Sequence, residues 1–172
     1  MNHYVSLARQ AVEHYVQNGE LLPLPEGLPS KLYNRQAGVF VTIIKDDELR
    51  SCIGTYQPTQ ENLAQEIIAS ASAAASKDHR FGPITSQELP HLSYKGYVLE
   101  TPEQISELSQ LDPRQYGLMV QDSLGRSALL LPGLEGIDTP TEQLEAACRK
   151  ACIDLERSDI TLYRFSAQKF VS

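Results

Sequence analysis

The stretch that most limits how this chain folds is residues 38–56, GVFVTIIKDDELRSCIGTY. Val39, Val41 and Ile43 alternate with Phe40, Thr42 and Ile44, so both faces of this run are apolar or β-branched, as in a central strand covered on both sides. Lys45-Asp46-Asp47-Glu48 is a polar break of hairpin length, after which Leu49 to Tyr56 resumes an extended pattern. The two strands are therefore expected to pair antiparallel. A period of two then sets Arg50, Cys52 and Gly54 on one face and Leu49, Ser51, Ile53 and Thr55 on the other. A guanidinium beside a thiol favours the thiolate, and Gly54 leaves room for a ligand or another backbone to approach.

Leu49-Arg50-Ser51-Cys52-Ile53-Gly54 resembles the signature hexapeptide Leu-Arg-Gly-Cys-Ile-Gly of the AMMECR family, with Ser51 where that family usually has glycine. Further on, Asp78-His79-Arg80-Phe81-Gly82-Pro83 is similar to the family's Asp-Pro-Arg-Phe-x-Pro. The resemblance continues through Leu129-Leu130-Leu131-Pro132 and Leu162-Tyr163-Arg164-Phe165-Ser166-Ala167-Gln168, and so covers most of the chain. It implies an α+β protein with a larger and a smaller lobe and a cleft between them. It also implies a place beside a Memo-like protein and a radical S-adenosylmethionine protein, in a modification pathway of undefined chemistry.

Length and composition fit one globular domain over residues 1–172, with two lobes allowed: 41% of residues are hydrophobic and 22% charged. A net charge of -7 argues against general binding to nucleic acid or anionic membranes, which requires clustered Lys and Arg. Three cysteines, no secretory h-region and no apolar run of membrane-spanning length read as a reduced, cytoplasmic protein.

Outside the hairpin, apolar spacing predicts a helix from Tyr4 to Asn18 stopped by Gly19. A connector carrying Pro23, Pro25 and Pro29 follows. A second helix is expected to open at Pro58-Thr59, with Thr59 as its cap and Glu61 near its positive end. Its alanine- and serine-rich half, residues 69–76, is expected to lie close against the sheet. Thr85 to Leu89 reads as a short helical turn ended by Pro90, Leu92 to Glu100 as a strand, and Thr101-Pro102-Glu103-Gln104 as a brief helical start. Tyr116–Gln121 and Ser127–Leu131 form a second hairpin. Thr139-Pro140-Thr141-Glu142 opens a helix with a capping box that carries Cys148 and Cys152 on its apolar stripe. Ile160 to Phe165 is the last expected strand. Irregular alternation with hairpin connections points to α+β with a mainly antiparallel sheet flanked by helices.

Cys52 is the candidate catalytic residue, weighed against a small buried hydrophobe. Arg50, Gly54, Asp78, Arg80 and Phe81 are the candidate substrate-binding residues, with Arg50 and Arg80 able to clamp a carboxylate or phosphate. Cys52, His79 and Asp78 supply the types of a nucleophile, base and orienting carboxylate. Asp78 and His79 are neighbours in a turn, however, and the family commonly has proline at His79. Cys148 and Cys152 have no third ligand at metal spacing and read as core, and no metal or cofactor is assigned. Two functions follow. One is an enzyme or enzyme component with a thiolate Cys52 acting on a small anionic substrate or modifying a macromolecule. The other is a noncatalytic module whose cleft holds a small anion or a partner segment.

Overall fold

The computed structural model describes residues 2–172. Helix α1 (His3–Asn18) is capped by Asn2, whose side chain accepts from the Tyr4 amide. It ends at Gly19, at φ 75, whose N–H returns to the Tyr15 carbonyl. The proline-rich connector runs into a short α2 (Ser30–Tyr33). There the Tyr33 hydroxyl donates to the Pro25 carbonyl at 2.6 Å and accepts from the Leu28 amide at 3.2 Å. Strands β1 (Val39–Lys45) and β2 (Glu48–Thr55) form the expected antiparallel hairpin. Asp46 and Asp47 both take positive φ, 51 and 66, the backbone a two-residue primed turn requires and one that aspartate tolerates.

Helix α3 (Leu63–Ser76) packs on β1, β2 and α1. Leu63, Ile67 and Ile68 are buried there, each contributing roughly 1.5–3 kcal/mol. The close approach expected of its small residues holds: Ala71, Ala74 and Ala75 are buried, and the Ser70 hydroxyl reaches the Val39 carbonyl at 3.5 Å. The helix start differs from expectation. Asn62 caps it by accepting from the Gln65 amide, while the Thr59 hydroxyl, Thr59 amide and Gln60 amide all donate to the buried Glu66 carboxylate. A carboxylate reaching back from the first turn folds residues 59–60 into a loop, so Thr59 is no cap and Glu61 lies outside the helix.

Strand β3 (Leu92–Leu99) follows a 3₁₀ turn at Leu89–His91 that contains Pro90 within it. The first sheet has the order β2-β1-β3-β8, where β8 is Ala167–Val171, so β1 is internal as the sequence suggests. Its Val39, Val41 and Ile43 face a core built with α1 and α3, whereas Phe40 and Ile44 on the other face are only half-buried.

The second unit covers Glu100–Ala167. Strands β4 (Glu103–Ile105), β5 (Gly117–Asp122), β6 (Ser127–Leu130) and β7 (Ile160–Phe165) form a sheet of order β4-β7-β5-β6. Helix α4 (Pro140–Ala151) lies on it, opened by the expected capping box between Thr139 and Glu142. Residues 103–105 are thus a strand, not a helical start: Glu103 pairs with Arg164 across the ladder and holds its guanidinium at 3.3 Å. Cys148 is buried as expected, but Cys152 is exposed at the C-cap in a left-handed conformation (φ 56), off the apolar stripe. Strand β8 (Ala167–Val171) is an addition to the expected elements. It returns to the first sheet, where Phe170 stacks on Tyr4 at 4.0 Å. The antiparallel α+β class holds, with the strands divided between two sheets. Among the described residues no helix is long and apolar enough to cross a membrane.

Candidate functional site

All six candidate site residues lie in the first unit. The register of β1 against β2 pairs Ile43 with Ser51 but Ile44 with Leu49, which leaves Arg50 as the extra residue of a β-bulge. A bulge re-aims the side chain it carries. Arg50 turns to the segment after α3: its Nε and Nη2 donate to the two oxygens of Glu88 at 2.8 and 3.2 Å. Nη1 and Nη2 also reach the carbonyls of Gly82 and Pro83. Its side chain is 13% exposed. The Arg50 guanidinium, with Lys45 and the Thr85 amide, holds the Glu88 carboxyl down to about 2, against the desolvation that opposes it. Arg50 therefore fastens the hairpin to residues 82–88, and the expected side-by-side placement with Cys52 gives way to the bulge.

Asp78 does the same one step along the strand. Its carboxylate is buried and accepts from the Cys52 amide at 3.0 Å and from Arg80 through the amide, Nε and Nη2 at 3.3, 2.9 and 2.8 Å. The Ser51 hydroxyl lies within reach of both Asp78 Oδ2 (3.1 Å) and the Ala74 carbonyl (2.7 Å), and its single proton serves one at a time. The hydrogen bond from Arg80, reinforced by those amides, holds the Asp78 carboxyl far below the usual carboxylate range despite its burial. An ionised carboxylate accepting this many N–H bonds is an acceptor already filled, not a free base. Serine at position 51 sits outside the left-handed region, so the departure from glycine brings no backbone strain and adds a tie to α3.

The arginine that reaches the cysteine strand is Arg80. Its side chain is 58% exposed, its Nη2 approaches the Cys52 carbonyl at 3.4 Å, and its guanidinium lies 5.1 Å from the Phe81 ring centroid. The Asp78 hydrogen bond raises the Arg80 pKa, with a further contribution from the Cys52 sulfur nearby. Cys52 is half-buried, and its thiol meets the Thr42 hydroxyl at 3.2 Å. Across the sheet Cys52, Thr42 and Lys95 form one row, and Gly54, Phe40 and Tyr97 the next. Lys169 sits 5.9 Å from the Tyr97 ring. Burial raises the Tyr97 pKa; Lys95 acts against that shift and Cys52 adds to it. Arg80 thus borders the strand of the thiol, while Lys95 stands in the same row two strands away and Lys169 lies on the opposite edge strand against Tyr97, in a protein of net charge -7.

His79 is exposed, and among the described residues no hydrogen bond joins it to Cys52. The Cys52, His79 and Asp78 types do not assemble as a nucleophile, base and carboxylate. Gly54 is flanked by its own partner strand: a Cβ there would lie 2.1 Å from the Val39 carbonyl oxygen and 2.6 Å from Phe40 Cγ. Of the two uses open to this glycine, the approach of another backbone is the one realised. Sequence reading missed Thr42, which only the strand register brings against Cys52, and Lys95 and Tyr97, which it sets on the same face two strands away. It also missed Glu88, whose pairing with Arg50 spans 38 positions.

The fold and this site define an antiparallel α+β protein whose cysteine strand is clamped to the segment after α3 by the buried Asp78 and the partly buried Glu88. A family model described as AMMECR1 matches residues 5–170, and the chain belongs to that family, as its motifs implied. It is 43% identical over 168 residues to a protein of Thermotoga maritima, covering 97% of this chain and 96% of that one. It is 39% identical over 163 residues to a protein of Clostridium acetobutylicum, covering 94% of this chain but 34% of that longer one. The crystal structure of an uncharacterized protein from Pyrococcus horikoshii matches with a TM-score of 0.88 at 31% identity, over 98% of this chain and 89% of that one.

Proposed function

We propose that this protein is a cytoplasmic AMMECR-like component of a modification pathway, working beside a Memo-like protein and a radical S-adenosylmethionine protein. In this reading the outer face of the first sheet is its working surface. One observation carries it: Arg80 is more than half exposed yet fixed in place by the buried Asp78, and it reaches the strand that presents Cys52. A guanidinium held this way meets an anionic group without first losing side-chain freedom. Cys52 then acts as the nucleophile or covalent carrier for a small anionic substrate or a macromolecule. Arg50 and Asp78 build this surface from behind, and Arg80 and Phe81 border it. The Clostridium acetobutylicum relative, three times as long as the stretch it shares with this chain, supports action in company with other polypeptide.

A second reading is favoured by the thiol's own contact. The Cys52 thiol meets a threonine hydroxyl, and among the described residues that sulfur has no hydrogen bond to histidine or carboxylate. That suits a noncatalytic module that holds a partner's acidic segment. Co-expression with Memo-like and radical S-adenosylmethionine proteins, followed by capture and intact-mass measurement, separates the two. The carrier reading expects a mass adduct on Cys52 that Cys52→Ser lacks. The binding reading expects capture without an adduct, weakened about tenfold in Arg80→Gln, as loss of a charge-assisted contact implies. No adduct, together with capture equal in wild type and Arg80→Gln, contradicts both.

A further inference from the structure

Strand β2 is an edge of the first sheet, and among the described residues β1 is the strand it pairs with. In an antiparallel ladder every second residue turns both its N–H and its C=O away from the partner strand. The Cys52 amide donates to Asp78, away from β1, so Cys52 is one such residue and the period of two makes Gly54 the next. At Cys52 both outward groups are taken. Asp78 accepts from the amide at 3.0 Å and Arg80 Nη2 approaches the carbonyl at 3.4 Å, so these two side chains make the bonds that a neighbouring strand would make.

At Gly54 the same two groups are open. Among the described residues neither its N–H nor its C=O has a hydrogen-bond partner, and the residue is only half-buried. Arg80 adds a second opening: its Nε and Nη2 are engaged, but among the described residues Nη1 has no partner. An open edge is a template for another strand. An internal segment laid along this one would run from Gly54 into the Asp78 and Arg80 side chains at Cys52, about 7 Å further on. A chain that ends there avoids them, and its terminal carboxylate falls at Arg80.

We infer that Gly54 and Arg80 bind the carboxy-terminus of a partner polypeptide, added to β2 as a short antiparallel strand. One residue near its end exchanges both backbone hydrogen bonds with Gly54, and the terminal carboxylate accepts from Arg80 Nη1. The Phe81 ring beside that guanidinium, 40% exposed, offers apolar surface to the last side chain. This inference rests on the reading of Arg80 as the group that meets an anion, and it names the anion.

Random hexapeptides displayed at the free carboxy-terminus of a carrier protein, and the same hexapeptides displayed within a loop of that carrier, are selected on the full chain. Only the carboxy-terminal display is expected to enrich. The strongest binder is then synthesised as the free acid and as the amide, and each is titrated into ¹⁵N-labelled protein. The acid is expected to bind about tenfold tighter, the size of one charge-assisted contact. Arg80→Gln, whose spectrum also reports its fold, weakens the acid to the level of the amide. The Gly54 amide shifts and exchanges with solvent severalfold more slowly, whereas the Cys52 amide, already held by Asp78, stays in place. No enrichment, equal enrichment of the two displays, or equal binding of acid and amide overturns the inference. A Gly54 amide that does not move while the acid still depends on Arg80 overturns strand addition and leaves Arg80 as an anion site. A folded Arg80→Gln that binds the acid as the wild type does overturns both readings.

Discussion

Asp78→Ala is expected to lower the free energy of unfolding by about 3 kcal/mol, because it strips partners from buried donors on two elements at once. The Cys52 amide and the Ser51 hydroxyl lose an acceptor in the interior, and Arg80 loses the anchor that fixes it. The pairing of Asp78 with the more than half-exposed Arg80 is discounted for solvent screening; the buried N–H donors supply most of the effect. Stability also depends on pH, with a definite sign. Asp78 and Glu88 both have folded pKa values below their ordinary ones, Glu88 down to about 2 and Asp78 well below the carboxylate range. Their contribution is therefore fully present above the unfolded values near 4 and is lost as pH falls through the folded ones. Wild type should lose stability steadily from about pH 5 towards pH 2. Asp78→Asn should be less stable at pH 7 and show a shallower acid limb, since one of the two linked groups is gone. Urea midpoints at pH 7, 4 and 3 check this; parallel acid limbs in the two proteins would count against Asp78 as the buried anchor.

Gly54→Ala is expected to cost about 3 kcal/mol, from overpacking that must move backbone rather than a flexible side-chain end. The added Cβ would stand 2.1 Å from the Val39 carbonyl oxygen and 2.5 Å from Phe40 Cα, in the pairing of two strands at the heart of the first unit. Gly96→Ala on β3 is the control: nothing lies within 4 Å of its added Cβ, and alanine in a strand is slightly favoured over glycine. Thermal melts of the pair decide how Gly54 is used. A Gly54→Ala protein that melts with Gly96→Ala and wild type, yet loses ligand or partner binding, would return this glycine to the ligand side of the account.

The elements legible in the sequence were those fixed by local chemistry. The apolar alternation of residues 39–44 marked the internal strand, Gly19 marked the end of α1, and Thr139-Pro140-Thr141-Glu142 marked the start of α4. The antiparallel class followed from the hairpins. What escaped depends on distant partners. The period-two argument placed Arg50 beside Cys52 because it assumes unbroken pairing, and a bulge leaves no mark in this composition. Glu88, which decides what Arg50 does, lies in an unremarkable turn. Thr59 has the chemistry of a cap, but the Glu66 carboxylate one helical turn in claims it, and Asn62 takes its place. Strand β8 holds because Phe170 stacks on Tyr4 from the far end of the chain, a contact that pattern alone does not contain. The motifs marked the two segments that the fold brings together, residues 49–54 and 78–83; that Arg50 ties into structure while Arg80 faces outward required the register.

If the outer face of the first sheet works as proposed, the half-buried Cys52 is reachable and lies in the field of Arg80. Alkylation rates with iodoacetate, which is anionic, and iodoacetamide, which is neutral, measure this residue by residue. Exposed Cys152 serves as the internal reference. Cys52 is expected to react in the native protein with an iodoacetate-to-iodoacetamide ratio severalfold above that of Cys152, falling in Arg80→Gln and compressing at high salt. A Cys52 that reacts only after denaturation, or whose ratio matches Cys152 and ignores Arg80→Gln, would contradict it and leave the thiol as core.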